Sequence, residues 1–254
     1  MLPHFTHFVK ATVYFNPHTL DELDLREKTV VVIDVLRAST TICYAMKAGA
    51  KEIIPVATVD QAMKIVGNLF STSTLLCGER GAKRINGFHL GNSPSEYTPD
   101  VVDGKSLILT TTNGAVALTK AKHAKHCYVG SFVNMTAVIT AITELPEAER
   151  SPLSIICSGR GGDFSLEDAV CAGMLLQELA SRGNLIELTD GAKTALSLYR
   201  EYGSDLFETL RGSDHGAILV ELGFEEDIRT AAAIDTVPIV PVLEQTIIKK
   251  KLVF

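Results

Sequence analysis

The chain has 254 residues, 46% of them hydrophobic and 21% charged, with a formal net charge of -6. A length of this order lets a fold bury about three quarters of its unfolded surface without staples, and the acidic balance argues against a broad nucleic-acid footprint. No apolar run approaches the roughly 20 residues that span a bilayer, and His4, His7 and Lys10 interrupt "MLPHFTHFVKATVYF" in a way foreign to a signal peptide, so a cytoplasmic location is expected.

From residue 29 onward, short β-branched runs alternate with amphipathic stretches, the pattern of an α/β protein. A predicted strand "TVVVID" (29–34) leads into a helix "STTICYAMKAG" (39–49) that stops at Gly49. Strand "EIIPV" (52–56) precedes a helix "VDQAMKIVGNLF" (59–70) behind Thr58. Strand "TLLCG" (74–78) opens an irregular stretch, residues 78–105, rich in turn formers. Ordered loops of that length are usually lids or binding loops. Strands "SLILTTT" (106–112) and "CYVGS" (127–131), helix "VNMTAVITAITEL" (133–145), strand "LSIICSG" (153–159) and helix "LEDAVCAGMLLQELASRG" (166–183) follow. Residues 190–234 read as mainly helical, and "PIVPVL" (238–243) returns to the sheet. The expected fold is layered α/β with a mostly parallel central sheet. It forms one α/β unit over residues 1–254, or two lobes of about 1–130 and 131–254 with any site between them. Cys43, Cys77, Cys127, Cys157 and Cys171 are odd in number, show no CxxC and sit mostly in apolar segments, so they read as buried thiols.

Polar chemistry gathers where four predicted strands end. The first places Asp34 and Arg37 ahead of Ser39, Thr40 and Thr41; two ionised groups beside a buried strand cost several kcal/mol each unless something polar meets them. Glu79 and Arg80 follow the third strand, where ligands of α/β sheets collect, and Asn92-Ser93-Pro94 reads as a turn with groups free to donate. "TTTNGA" offers Thr111, Thr112 and Asn113 before Gly114, suited to gripping phosphate or simply to capping a helix. "CSGRGGDFSLED" surrounds Arg160 with glycines and puts Ser165 three residues ahead of Asp168. Glu167 and Asp168 also have a plainer explanation, since carboxylates in a first helical turn gain roughly 0.3–1 kcal/mol from the dipole. The recurrence of Arg or hydroxyl, Gly and acid at three strand ends points to a hard metal sharing a pocket with an anion.

Known phosphate chemistries fail on spacing. A Walker loop would need Gly where Pro99 stands, and a thiol-phosphatase loop would need Arg where Asp163 and Gly49 follow Cys157 and Cys43. An aspartyl phosphatase would need a second Asp where Leu36 follows Asp34. No HExxH or Asp-rich binuclear signature appears, and His123 and His126 read as surface residues.

The blocks "VVIDVLRASTTI", "GERGAKRINGFHLGNSP", "TTTNGAVAL", "GSFVNMTAV", "CSGRGGDFSLEDAVCAG" and "ELGFEEDIRTAAAIDTVPIVPVL" resemble, in order and across nearly the whole chain, those of the 2-phosphosulfolactate phosphatase family. The resemblance implies an Mg2+-dependent hydrolase of (2R)-2-phospho-3-sulfolactate, a step towards coenzyme M in methanogens, acting on a small anionic phosphorylated sulfonate with neither nucleic acid nor membrane as partner. A homo-oligomer is left open. His89 stands where the family block carries an acid, which removes one candidate ligand. Such a substrate carries about four negative charges. On this basis Arg37, Arg80 and Arg160 are expected to hold its oxyanions, because a planar fork fits them better than lysine does. Asp34 and Asp168 are the expected Mg2+ ligands, with Glu79 and Glu167 as second candidates. Thr40, Thr111, Thr112 and Asn113, with Ser39 beside them, would donate to phosphoryl oxygens. Asn92, Ser93 and Ser213 would hold the carboxylate or sulfonate. The nucleophile is a metal-activated water or Asp34 itself, water being favoured because the assisting acid is absent. His215 either protonates the leaving alkoxide or serves as a capping or buried histidine. A non-catalytic binder of organic phosphates or sulfonates, or a phosphatase for a related 2-phospho hydroxy acid, is the alternative.

Overall fold

The computed structural model describes residues 9–68, 73–183 and 186–251. His4, His7 and residues 69 and 70 of the second predicted helix lie outside them. The strands are β1 (Val9–Tyr14), β2 (Thr29–Ile33), β3 (Glu52–Pro55), β4 (Thr74–Arg80), β5 (Lys83–Arg84), β6 (Ser106–Thr110), β7 (His126–Gly130), β8 (Leu153–Cys157), β9 (Ile186–Leu188), β10 (Val240–Glu244) and β11 (Ile247–Lys251). The helices are α1 (Ala38–Lys47), α2 (Val59–Asn68), α3 (Pro99–Val102), α4 (Gly114–Lys120), α5 (Met135–Thr143), α6 (Leu166–Ser181), α7 (Asp190–Tyr202), α8 (Leu206–Gly212), α9 (Asp214–Glu221) and α10 (Glu225–Ala232).

Among the described residues eleven strands make one sheet, ordered β5-β4-β6-β3-β11-β10-β7-β2-β8-β1-β9. Two groups are parallel, β4-β6-β3 and β7-β2-β8-β1-β9. The antiparallel hairpin β10-β11 joins them, meeting β7 at Val242–Tyr128 and β3 at Ile248–Ile53. Following these senses through the hairpin, the two parallel groups run in opposite directions. Their carboxyl-end loops nevertheless meet, because twist accumulates over so many strands.

β2 and β8 are buried at every position and mostly apolar because both faces are covered. Successive side chains alternate between faces. Val31 and Ile33 therefore join one core with Ile155, Phe132, Val138 and Leu175. Val30 and Val32 join another with Ile42, Met46, Leu118 and Val129.

β1, β5, β9 and β11 went unpredicted. β1 lies in a stretch weighed as a leader, β9 has three residues, and the second half of β11 is three exposed lysines. The stretch 78–105, read as a lid or binding loop, is packed into the fold and is no mere solvent insertion, since Phe88, Leu90 and Tyr97 are buried and Gly78 N–H donates to the Leu90 carbonyl. His126 belongs to β7 and is partly buried, 3.6 Å from Glu149, rather than a surface residue. All five cysteines are buried and free, as expected.

Candidate active site

A cleft of about 710 Å³ opens where the loops after β2, β4, β6 and β8 meet the start of α9. The turn after β2 is built by its own polar groups. Asp34 N–H donates to Ser39 Oγ at 2.8 Å and Ala38 N–H donates to Asp34 Oδ1 at 3.1 Å. Thr40 Oγ1 donates to the Val35 carbonyl at 2.8 Å and pairs with Ser131 Oγ at 2.9 Å, fully buried. Ser39 and Thr40 thus shape the turn and do not line the cleft, which departs from their expected phosphoryl contacts. Asp34 does line it, and its Oδ2 faces Gly114, where a Cβ would come within 2.6 Å. Burial pushes the Asp34 carboxyl up to about 6; His215 and the Ala38 N–H oppose the rise, while the charges of Glu79 and Glu167 add to it.

At the end of β4, alternation sends Glu79 inward and Arg80 outward. Glu79 lines the cleft and accepts Thr112 N–H at 2.7 Å and Ala82 N–H at 2.9 Å, clamping two loops. Arg80 is exposed and donates to the Glu79 and Ala57 carbonyls, so it is not brought to the site. Thr111 Oγ1 accepts Ala115 N–H at 2.9 Å and so holds the first turn of α4. Asn113 Oδ1 accepts Gly161 N–H at 3.0 Å and ties this loop to the glycine-rich one after β8. There Arg160 and Asp163 bond backbone to backbone, and the Arg160 guanidinium lines the cleft with no hydrogen bond or ion pair among the described residues.

At the start of α6, Ser165 Oγ accepts Asp168 N–H. Asp168 accepts Val35 N–H at 2.8 Å and Gly159 N–H at 3.2 Å, so both carboxylate oxygens hold backbone and the residue lies behind the cleft wall. Burial, then the charges of Asp34 and Glu167, push its carboxyl well up. Glu167 lines the cleft with Oε1 3.6 Å from His215 Nδ1. Burial raises the Glu167 carboxyl, but His215 and neighbouring donors outweigh it and leave the group below its ordinary range. Ser213 caps α9 by accepting Gly216 N–H, so His215, two residues on, is not the cap; both line the cleft.

Arg37 is buried and donates to Asp227 Oδ2 at 2.7 Å and to the Ala82 carbonyl at 2.8 Å. Ser93 Oγ donates to Asp227 Oδ1 at 2.6 Å, away from the cleft lining, whereas Asn92 lines it with Oδ1 buried and unpartnered. Asp227 escaped the sequence reading because it follows Glu225 and Glu226 and looks like one more acid in a first helical turn.

No group of three or more His, Cys, Asp or Glu among the described residues is placed to cage a metal. Mg2+ does not need one, since it keeps several waters and takes one or two carboxylates plus phosphate oxygens. Asp34 Oδ2 and Glu167 in the cleft fit that sparse mode; Asp168, with both oxygens on backbone amides, does not.

Residues 14–246 match the family model described as 2-phosphosulpholactate phosphatase. A probable 2-phosphosulfolactate phosphatase of Caldanaerobacter subterraneus subsp. tengcongensis is 38% identical over 93% of this chain and 96% of its own. Its counterpart from Clostridium novyi is 39% identical over 92% and 96%, and that from Picosynechococcus sp. 38% over 92% and 95%. The match runs through every loop that lines the cleft, from Asp34 to His215. The chain therefore belongs to the 2-phosphosulpholactate phosphatase family, a family of phosphoric monoester hydrolases.

Proposed function

We propose that the protein hydrolyses (2R)-2-phospho-3-sulfolactate to 3-sulfolactate and phosphate, with Mg2+ held by Asp34 and Glu167. The observation that carries this reading is one cleft holding an unpaired guanidinium, Arg160, together with a buried carboxylate, Asp34, whose Oδ2 is uncommitted. Mg2+ bound there would offset the charge of the phosphoryl group and polarise its oxygens. Arg160 binds phosphoryl oxygens, which a guanidinium does better than an ammonium. Thr112 and the Asn113 amide, on the loop clamped by Glu79, orient the group. Water is the nucleophile, because Leu36 stands where an aspartyl mechanism would place its assisting acid. His215, held beside Glu167, passes a proton to the leaving alkoxide.

The test is phosphate release from 2-phospho-3-sulfolactate and from a panel of carboxylated 2-phospho acids, each with and without a chelator. Turnover highest on the sulfonated ester and lost on chelation is expected. Undiminished activity after chelation would sink the metal assignment, a different preferred ester would change the substrate, and tight binding without release would make the protein a binder.

A further inference from the structure

The Asp227 carboxylate joins two segments that reach the cleft. It accepts from Arg37 Nη1 at 2.7 Å and from Ser93 Oγ at 2.6 Å, and the three residues are at most 5% exposed. Arg37 is fixed twice more, by the Ala82 carbonyl and by the Phe224 ring 4.4 Å from its guanidinium carbon. Beside Ser93, the Asn92 carbonyl accepts from Thr41 Oγ1 at 2.8 Å, so the backbone here is held on both sides. The Asn92 side chain is the exception: it is 5% exposed, lines the cleft and leaves Oδ1 without a partner. The large majority of buried polar side-chain atoms in native structures are satisfied, and of the four among the described residues that are not, Asn92 Oδ1 belongs to the residue that lines the cleft. The amide is therefore free to meet a ligand in the cleft.

We propose that Asp227 is a positioning residue, and that Arg37, which it holds, and Asn92, next to the Ser93 it holds, form a subsite that selects phosphate esters bearing a second acid group. This rests on the phosphatase reading above and deepens it. Asp227 neutralises Arg37, so the subsite works through directed N–H groups rather than net charge. The guanidinium N–H groups not engaged by Asp227 and Ala82, with the Asn92 amide, match a carboxylate or a sulfonate. Net positive charge is left to Arg160 for the phosphoryl end. Locking a long side chain before the substrate arrives removes its ordering cost from the binding step.

The test compares wild type, Asp227→Asn, Ser93→Ala and Asn92→Ala on 2-phospho-3-sulfolactate and on p-nitrophenyl phosphate, which has no second acid. In Asp227→Asn and Asn92→Ala, kcat/KM on the sulfolactate ester should fall about tenfold or more, mainly through KM, and the loss on p-nitrophenyl phosphate should be several times smaller. Ser93→Ala keeps the Arg37–Asp227 pair and should show the same selectivity shift in weaker form, which reads the brace even if Asp227→Asn does not fold. Equal losses on both substrates, or lower melting temperatures with unchanged selectivity, would overturn the proposal. Wild-type turnover is measured first. If neither ester is hydrolysed, the phosphatase reading fails alone, and the subsite is judged from calorimetric binding of 3-sulfolactate, which the same variants should weaken; unchanged affinity overturns it.

Discussion

Asp168 accepts one backbone N–H from the loop after β2 and one from the loop after β8. Asparagine there would keep one carbonyl oxygen but turn an NH2 group towards a donor. Asp168→Asn should therefore cost about 1–3 kcal/mol of stability. It should also lower activity, because the turns carrying Arg37 and Arg160 lose their shared clamp, and added Mg2+ should not restore turnover. Melting curves and phosphate release across a Mg2+ series check this; a fully stable variant rescued by Mg2+ would make Asp168 a metal ligand. The sequence left Asp168 open between cap and ligand, and the residue clamps two loops instead. Its partners lie 133 and 9 residues away, contacts that no local pattern announces. Asp34, Arg160 and Glu167 were legible for the opposite reason, since a charged group just past a buried strand or at a helix start has few places to point but the strand-end crevice.

Helix α4 begins against α1 at a distance that only glycine permits. A Cβ on Gly114 would lie 2.6 Å from the Ala38 Cβ and 2.6 Å from Asp34 Oδ2. The first neighbour sits on a helix and cannot rotate away, so Gly114→Ala should destabilise by about 1–3 kcal/mol as overpacking does and displace Asp34 with loss of activity. Gly67 in α2 is the control: a Cβ there meets nothing within 4 Å, so Gly67→Ala should be neutral or stabilising by up to about 1 kcal/mol. Thermal melting with phosphate release on both variants decides, and a stable, active Gly114→Ala would mean that α4 slides freely. The glycine in "TTTNGA", placed by its sequence in a phosphate grip or a helix start, admits another helix. The predicted strand-helix units from β2 to α6 were found because their burial imposes period and composition. The hydroxyls of Ser39, Thr40 and Thr111 were legible as polar groups at a turn, but not as groups already spent on backbone.

Across the whole molecule, the site exists because two parallel strand groups are brought together by a hairpin from the far end of the chain. The grouping does not follow a cut near residue 130, since β1, β2 and β7 share a group with β8 and β9 while β3, β4 and β6 form the other. The loops of both groups deliver carboxylates to one place, and Asp34, Glu79, Glu167 and Asp168 are all buried there. Such convergence has a price in stability whose sign follows from Asp34. Its carboxyl is raised from 3.8 to about 6 on folding, chiefly by burial. A raised pKa means that the folded state binds the proton more tightly. The stability from that proton is full below about pH 4 and lost as pH rises towards 6, by about 3 kcal/mol. The raised Asp168 carboxyl acts in the same direction. In chelator at pH 8, Asp34→Asn should therefore melt at a higher temperature than wild type, with the gain shrinking as pH falls through 6 and vanishing below about 4, where Asp34 becomes protonated folded or unfolded. A variant that melts lower than wild type at pH 8 would show that the Asp34 charge is already compensated within the chain. A gain that fades with acid would show that the fold holds this charge against its own stability, and so presents it to whatever cation or substrate enters the cleft.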